Sequence, residues 1–215
     1  MDDNSNQKAE YTFKYIIVGN AAVGKSNISY RFTKGKFLEK YHPTIGLDFT
    51  YKILKIRDKM CKIQIWDTAG QECFKSISRG YYKSSVCALV VYDITDKESF
   101  KNVETWVEEC KNNSPKTVTM VLVGNKSDLN NNRVITTEEG AEFASRFDMQ
   151  FYETSAFDGT NIDKLFSETS EKIVEKMENN YYDLTDEECG IKVGTGNKRN
   201  VLKKDDSTKK KKCPC

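Results

Sequence analysis

Apolar residues gather in short runs at positions 15–18, 86–92, 118–123 and 150–152, each bounded by turn or helix-start residues. Continuous rather than alternating apolar character predicts strands covered on both faces, as in a parallel sheet lying between helices. One stretch differs, because Cys61, Ile63 and Ile65 alternate with Lys62, Gln64 and Trp66. The segment 49–56 runs back to it through Arg57-Asp58-Lys59, which predicts an antiparallel hairpin at one side of the sheet.

Amphipathic helices separate the strands. Thr95 and Glu98, Thr136 and Glu139, and Thr160 and Asp163 have the spacing of a capping box or its Asp variant, in which a hydroxyl and a carboxylate satisfy the opening backbone NH groups. Phe100, Val103, Val107 and Cys110 then line one helical face, and Ile162, Leu165, Phe166, Ile173 and Met177 line another. Strand and helix patterns alternate, so the expectation is an α/β domain in three layers. It has a six-stranded, mostly parallel sheet with one antiparallel edge hairpin and helices on both faces. From about Asn179 the periodicity stops, and Asn, Gly, Thr, Lys and Asp take over up to a final Lys209–Lys212 cluster and Cys213-Pro214-Cys215. The chain thus divides into a polar disordered extension over 1–10, a domain over 11–178 and a disordered tail over 179–215.

Composition narrows the class. With 215 residues, 38% of them hydrophobic, the chain supplies one core, and 34 Lys and Arg against 32 Asp and Glu exclude a polycation that coats nucleic acid. The opening residues are polar and acidic, without the charged and apolar regions of a secretory signal, so an intracellular protein is expected. Seven cysteines, at 61, 73, 87, 110, 189, 213 and 215, show no zinc spacing and read as reduced and mostly buried. The longest apolar run is seven residues, well short of the roughly 18 to 20 that cross a bilayer. Any membrane association is therefore expected from a covalent or peripheral anchor.

The chemistry begins at Gly19-Asn20-Ala21-Ala22-Val23-Gly24-Lys25-Ser26, which fits G-x-x-x-x-G-K-[ST] between a strand and a helical stretch. Such a loop wraps phosphates in backbone NH groups, here from Ala22 to Asn27. Lys25 neutralises the outer charge and the Ser26 hydroxyl reaches Mg²⁺ at a helix N-terminus. Trp66-Asp67-Thr68-Ala69-Gly70-Gln71-Glu72 starts where the alternating strand stops. There Asp67 can hold Mg²⁺ through water, the Gly70 NH can bond a γ-phosphate, and Gln71 can orient an attacking water.

The base end separates guanine from adenine. Gly124-Asn125-Lys126-Ser127-Asp128-Leu129 follows a buried strand, and the Asp128 carboxylate can accept both the ring NH and the exocyclic amino group of guanine. Adenine lacks that pair of donors, so a site built on this acceptor rejects it. Small residues in Glu153-Thr154-Ser155-Ala156 let backbone NH groups meet the guanine carbonyl oxygen.

These four elements, in this order, resemble a small GTPase of the Ras superfamily over about 11–179. Five further stretches resemble the Rab family: Ile45-Gly-Leu-Asp-Phe49, Lys62-Ile-Gln-Ile-Trp66, Phe74-Lys-Ser-Ile-Ser-Arg-Gly-Tyr-Tyr-Lys83, Val91-Tyr-Asp-Ile-Thr95 and Asn102-Val-Glu-Thr-Trp106. The resemblance implies the P-loop GTPase fold, GTP and GDP as substrate and product, and Mg²⁺ held by Ser26, Thr44 and Asp67. It implies hydrolysis that depends on Gln71 and Lys25, and base contacts from Phe37, Asn125, Lys126, Asp128, Leu129, Ser155, Ala156 and Phe157. Tyr41 would lie near the phosphates. Ile45, Phe49, Trp66, Phe74 and Tyr81 would face effectors, and His42 would flank the first switch. Cys213 and Cys215 would carry geranylgeranyl groups and, with the lysine cluster, hold the protein on the cytoplasmic face of an intracellular membrane.

The same resemblance implies a monomer that regulates vesicle trafficking and cycles with the cytosol. Its partners would be an exchange factor, an activating protein, a dissociation inhibitor or escort protein, and effectors, with no nucleic acid. Four positions depart from the family. Ala21 and Ala22 stand where Ras has glycines, and their methyls can crowd Gln71 or an arginine finger. Cys73 replaces an Arg, and Phe157 replaces the Lys common after Ser-Ala. A GTP-loaded scaffold with negligible hydrolysis is the alternative these departures leave open.

Overall fold

The computed structural model describes residues 9–39, 47–68 and 79–194. In chain order they form β1 (Tyr11–Val18), α1 (Lys25–Lys34), β2 (Leu47–Ile56), β3 (Lys59–Thr68), α2 (Arg79–Tyr82), β4 (Cys87–Asp93), α3 (Lys97–Lys101) and α4 (Val103–Asn113). These are followed by β5 (Thr119–Asn125), α5 (Thr137–Arg146), β6 (Gln150–Thr154), α6 (Ile162–Glu178) and β7 (Ile191–Val193). Short 3-10 turns lie at Ser127–Asn132 and Glu187–Cys189.

Six strands lie in the order β2-β3-β1-β4-β5-β6. β1 pairs in parallel with β3 and β4, β4 with β5, and β5 with β6, while β2 pairs antiparallel with β3. This is the mostly parallel sheet with one edge hairpin that the apolar pattern predicts. Alternation along β1 sends Phe13, Tyr15 and Ile17 to one face, where Phe32 of α1 and Phe166 and Ile173 of α6 cover them. Ile16 and Val18 turn to the other face and join Val90, Tyr92, Val103, Val107, Leu122 and Phe143. Both faces of β4 are thereby buried, which is why its sequence is unbroken apolar. Phe32 and Phe166 stack at 3.9 Å between centroids, and the buried Tyr15 hydroxyl lies 2.9 Å from Ser170 Oγ, so its polar tip is satisfied. Cys61, Cys87, Cys110 and Cys189 are buried free thiols, in keeping with the reduced reading. No helix among the described residues is long and apolar enough to cross a membrane.

Two helix starts differ from the capping-box expectation. At Thr136 the box is complete, with Glu139 N donating to the threonine hydroxyl and Thr136 N to the Glu139 carboxylate. At α3 the cap is Asp96, whose carboxylate accepts from Glu98 N, while Thr95 donates from its hydroxyl and its NH to Asp93 Oδ1. An Asp next to the Thr takes the role because its longer reach and charge suit the first-turn NH groups. At α6 the cap is Asn161, in the left-handed conformation and without a side-chain cap bond, and Thr160 N donates to Asp158 Oδ1 instead.

The fold also runs past residue 178, where the sequence reading closes the domain and opens a structureless tail. β7 pairs antiparallel with Tyr11–Phe13, taking the half of the β1 edge that β4 leaves open. Tyr182, Cys189 and Ile191 are buried against the face covered by α1 and α6. Gly190 permits the approach: its φ is +79°, and a Cβ there would sit 2.3 Å from the Val86 nitrogen. The signal in the sequence is weak because three residues of strand and scattered apolar contacts leave no periodicity.

Candidate functional site

The loops after β1, β3, β4, β5 and β6 all leave the sheet at the carboxyl ends of its parallel strands, where open α/β sheets collect ligands. Between β1 and α1 the chain makes a tight wrap. Gly24, at φ +98°, precedes the helix, and a Cβ on it would lie 2.3 Å from Asn125 Nδ2. A side chain at residue 24 would thus push apart the loops that follow β1 and β5. Ala22 also holds a positive φ of 62°, which costs an L-residue with a Cβ roughly 1 kcal/mol or more that glycine avoids. Trp106 Nε1 of α4 donates to Asn20 Oδ1 at 2.9 Å and fixes the loop from the other side.

Lys25 is 5% exposed and donates through Nζ to the carbonyls of Gly19 at 2.8 Å and Asn20 at 2.7 Å, so the ammonium closes the loop over its own backbone. Burial lowers its pKa to about 8, with the Asp67 carboxylate pulling the other way. A phosphate bound in the loop would restore the charge. Binding is therefore expected to take up a proton near and above pH 8, and affinity falls as pH rises through that value, by at most about tenfold per unit. Calorimetry in two buffers of different ionisation enthalpy measures the uptake, and binding without proton exchange at alkaline pH would contradict it.

Ser26 follows Lys25 in the first turn of α1, and the buried Asp67 lies near the end of β3, paired in register with Ile17 of β1. A hydroxyl and a carboxylate beside a phosphate loop form a hard oxygen donor set, which fits Mg²⁺. Thr44, Tyr41, His42 and Ile45 of the expected first switch lie outside the described residues, as do Gly70, Gln71, Cys73 and Phe74 of the second and the terminal Cys213 and Cys215.

The base end is built around Asn125, 1% exposed at the end of β5. Its Nδ2 donates to the Val23 carbonyl at 2.8 Å, and its Oδ1 accepts from the Thr154 hydroxyl and the Ala156 NH, each at 3.2 Å. One side chain therefore joins the phosphate loop to both base loops. Asp128 stands at the opening of the 3-10 turn, and its Oδ1 accepts from Ser155 Oγ at 2.6 Å, which aims the carboxylate across the gap between the loops. Leu129 beside it is 43% exposed. Lys126 adopts the left-handed conformation and pairs with the largely buried Asp93 at 2.6 Å. Arg133, just past the turn, grips Glu153 of β6 through two bonds of 2.5 and 3.0 Å.

Several positioning residues escape the sequence reading. Asp93 is the most legible of them, since it ends a buried strand in register with Asn125. Arg31 has no such signal: its Nε donates to the Ala156 carbonyl at 2.8 Å and its Nη2 to the Phe157 carbonyl, from 125 residues away in the chain. Phe37 packs edge-to-face on Phe157 at 5.4 Å.

On the other side of the sheet hairpin, Phe49 is 54% exposed and lies 6.0 Å from the half-buried Trp66, which in turn meets the buried Tyr81 at 6.4 Å. The three rings are contiguous, and exposure falls from Phe49 through the half-buried Trp66 to the buried Tyr81. Lys14 Nζ sits 4.6 Å over the Trp66 ring, and burial, then the neighbouring Lys192 charge, lower its pKa to about 8.

Comparison with known proteins agrees with this arrangement. The Ras family model matches residues 14–175. The chain is also 45% identical over 179 residues, 83% of its own length and 89% of the relative's, to Ras-related protein Rab-2B of Dictyostelium discoideum. With its phosphate loop, its base loops and this likeness, the chain belongs to the Rab family of small GTPases in the Ras superfamily.

Proposed function

We propose that this Rab GTPase is a membrane-anchored switch for vesicle trafficking in which the residues described above hold and hydrolyse GTP. The observation that carries the reading is Asn125, whose one amide ties the phosphate loop at Val23 to the base loop at Ala156. A nucleotide spanning both ends is the ligand such a joint serves. In this reading Lys25 and the NH groups of residues 22–27 hold the phosphates, and Gln71 orients the attacking water for in-line displacement without a covalent intermediate. Asp128 reads guanine, Lys126 and Phe37 flank the base, and backbone NH groups of 155–157 receive its carbonyl oxygen. When bound, Mg²⁺ would neutralise charge on the phosphates, held by Ser26, by Thr44 in the GTP form, and by Asp67 through water. Thr44 and Gly70 would sense the γ-phosphate, and Ile45, Phe49 and Phe74 would present the result to effectors; of the expected aromatic triad only Phe49 is open, with the half-buried Trp66 packed on it and the buried Tyr81 packed on Trp66.

The anchor rests on Cys213 and Cys215 beside the Lys209–Lys212 cluster. Two lipid chains and a basic segment together supply the double signal that stable attachment requires. Deleting residues 213–215 is expected to move the protein from the membrane pellet to the soluble fraction of a cell extract, and continued pelleting would defeat the lipid anchor. The scaffold alternative keeps one support, since Ala21 and Ala22 are both exposed at the mouth of the phosphate loop. Single-turnover hydrolysis with and without an activating protein separates the two, since a scaffold would bind GTP and leave it intact in both cases.

A further inference from the structure

We infer that Arg31 is a positioning residue for the base, a clamp that joins the base loop to the root of the first switch and prolongs the retention of guanine nucleotide. This rests on the guanine-nucleotide reading of the site. Arg31 lies half-buried on α1, one residue before Phe32, whose ring is anchored in the core on Phe166. Its planar fork of donors meets three backbone carbonyls on two segments of the chain. Nε donates to Ala156 at 2.8 Å, Nη2 donates to Phe157, and Nη1 reaches back to Gly35 at 3.1 Å. Gly35 ends α1 at φ +68°, and its NH donates to the Arg31 carbonyl at 2.8 Å. Residue 31 therefore holds Gly35 through side chain and backbone alike, at the point from which the chain runs on toward the expected first switch.

The other arm of the fork works on the base loop. Ser155 Oγ is bonded to Asp128 and the Ala156 NH to Asn125 Oδ1, so Arg31 adds a third grip, from a helix that carries neither recognition residue. Ala156 is thereby held through its NH by β5 and through its carbonyl by α1. Gly159 lies along the arginine stem, where a Cβ would sit 3.7 Å from Arg31 Cδ. The bond to Ala156 has a chemical consequence. The peptide whose carbonyl Arg31 engages carries the Phe157 NH, one of the NH groups assigned above to the guanine carbonyl oxygen. A charged donor on that carbonyl polarises the peptide and makes its NH a stronger donor. Displacing the base loop or the root of the first switch also strips bonds from the guanidinium that serves the other. A lysine at 31 would keep the charge but lose the fork that spans the three carbonyls.

The clamp is tested on the full-length protein loaded with fluorescent GDP and chased with unlabelled GDP in Mg²⁺. Arg31→Ala is expected to release GDP about ten- to a hundredfold faster, the range for a charge-assisted hydrogen bond lost from the bound state, and Arg31→Lys to recover little of that loss. Competition then locates the effect on the base. Thioguanosine diphosphate keeps both donors to Asp128 and replaces the carbonyl oxygen with sulfur, a weaker acceptor, whereas inosine diphosphate keeps the oxygen and lacks the amino group. In Arg31→Ala the preference for GDP over the thio analogue should shrink, while the preference over inosine diphosphate holds. Lys52 supplies the matched control, since its Nζ donates to the Phe32 carbonyl on the same turn of α1 at 2.9 Å and makes no bond to the base loop. Lys52→Ala should leave release and both preferences as in the wild type. An unchanged release rate in Arg31→Ala, wild-type release in Arg31→Lys, equal shrinkage of the two preferences, or the same acceleration in Lys52→Ala would overturn the clamp. A wild-type protein without affinity for guanine nucleotides would instead defeat the reading on which the clamp depends.

Discussion

Asp128→Asn is expected to turn this chain from a guanine binder into a xanthine binder. The Asp128 carboxylate is held by the Ser155 hydroxyl at 2.6 Å, so in the proposed reading it would meet the base in a fixed orientation with one oxygen already engaged. Against guanine it would accept from two donors. An asparagine presents one acceptor and one donor, so the guanine amino group loses its partner and faces an NH₂ that can only repel it. Leaving a recognition hydrogen bond unmade in a closed site costs on the order of a thousandfold or more in discrimination. Xanthine, which carries a carbonyl in place of the amino group, meets the new donor instead. Competition between GDP and xanthosine diphosphate for the variant reads the exchange. Retained guanine preference would remove Asp128 from the base site and leave Asn125 a purely structural joint.

The second large effect belongs to Gln71. Gln71→Leu is expected to lower single-turnover GTP hydrolysis by roughly ten- to a hundredfold, because a water that is no longer oriented for in-line attack loses the advantage of position. Nucleotide affinity should change little, since the proposed reading has Lys25 and the loop backbone hold the phosphates. This separation of rate from affinity makes the variant informative. Equal rates in the two proteins would mean that the attacking water is placed by other groups. A fall in affinity to match the rate would mean that Gln71 holds ground-state phosphate.

Much of this arrangement is legible in the sequence because its parts are local. A phosphate loop is eight consecutive residues between a strand and a helix, and the base triad Asn125, Lys126 and Asp128 sits within four. The strands that aim these loops announce themselves through unbroken apolar runs, since both faces of β4 are covered. What the sequence leaves unread depends on partners distant in the chain. Arg31 secures the 156–157 backbone from α1, and no pattern around residue 31 marks it. Asp93 completes the setting of Lys126 through an ion pair 33 residues away in sequence numbering. β7 goes unread because three residues fill a gap in the β1 edge that exists only once β4 has paired. The helix starts at 95 and 160 mislead for a local reason: each Thr has a second capping-competent residue directly after it, Asp96 or Asn161, and that neighbour takes the cap position.

The most direct measurement is the nucleotide carried by the purified full-length protein, followed by single-turnover reactions with GTP and with ATP in Mg²⁺. The account predicts that guanine nucleotide copurifies, that GTP is converted to GDP and phosphate, and that ATP neither competes nor turns over. Preferential binding of ATP would contradict the assignment of Asp128 and the base loops, and tight GTP binding without turnover would contradict the hydrolytic switch.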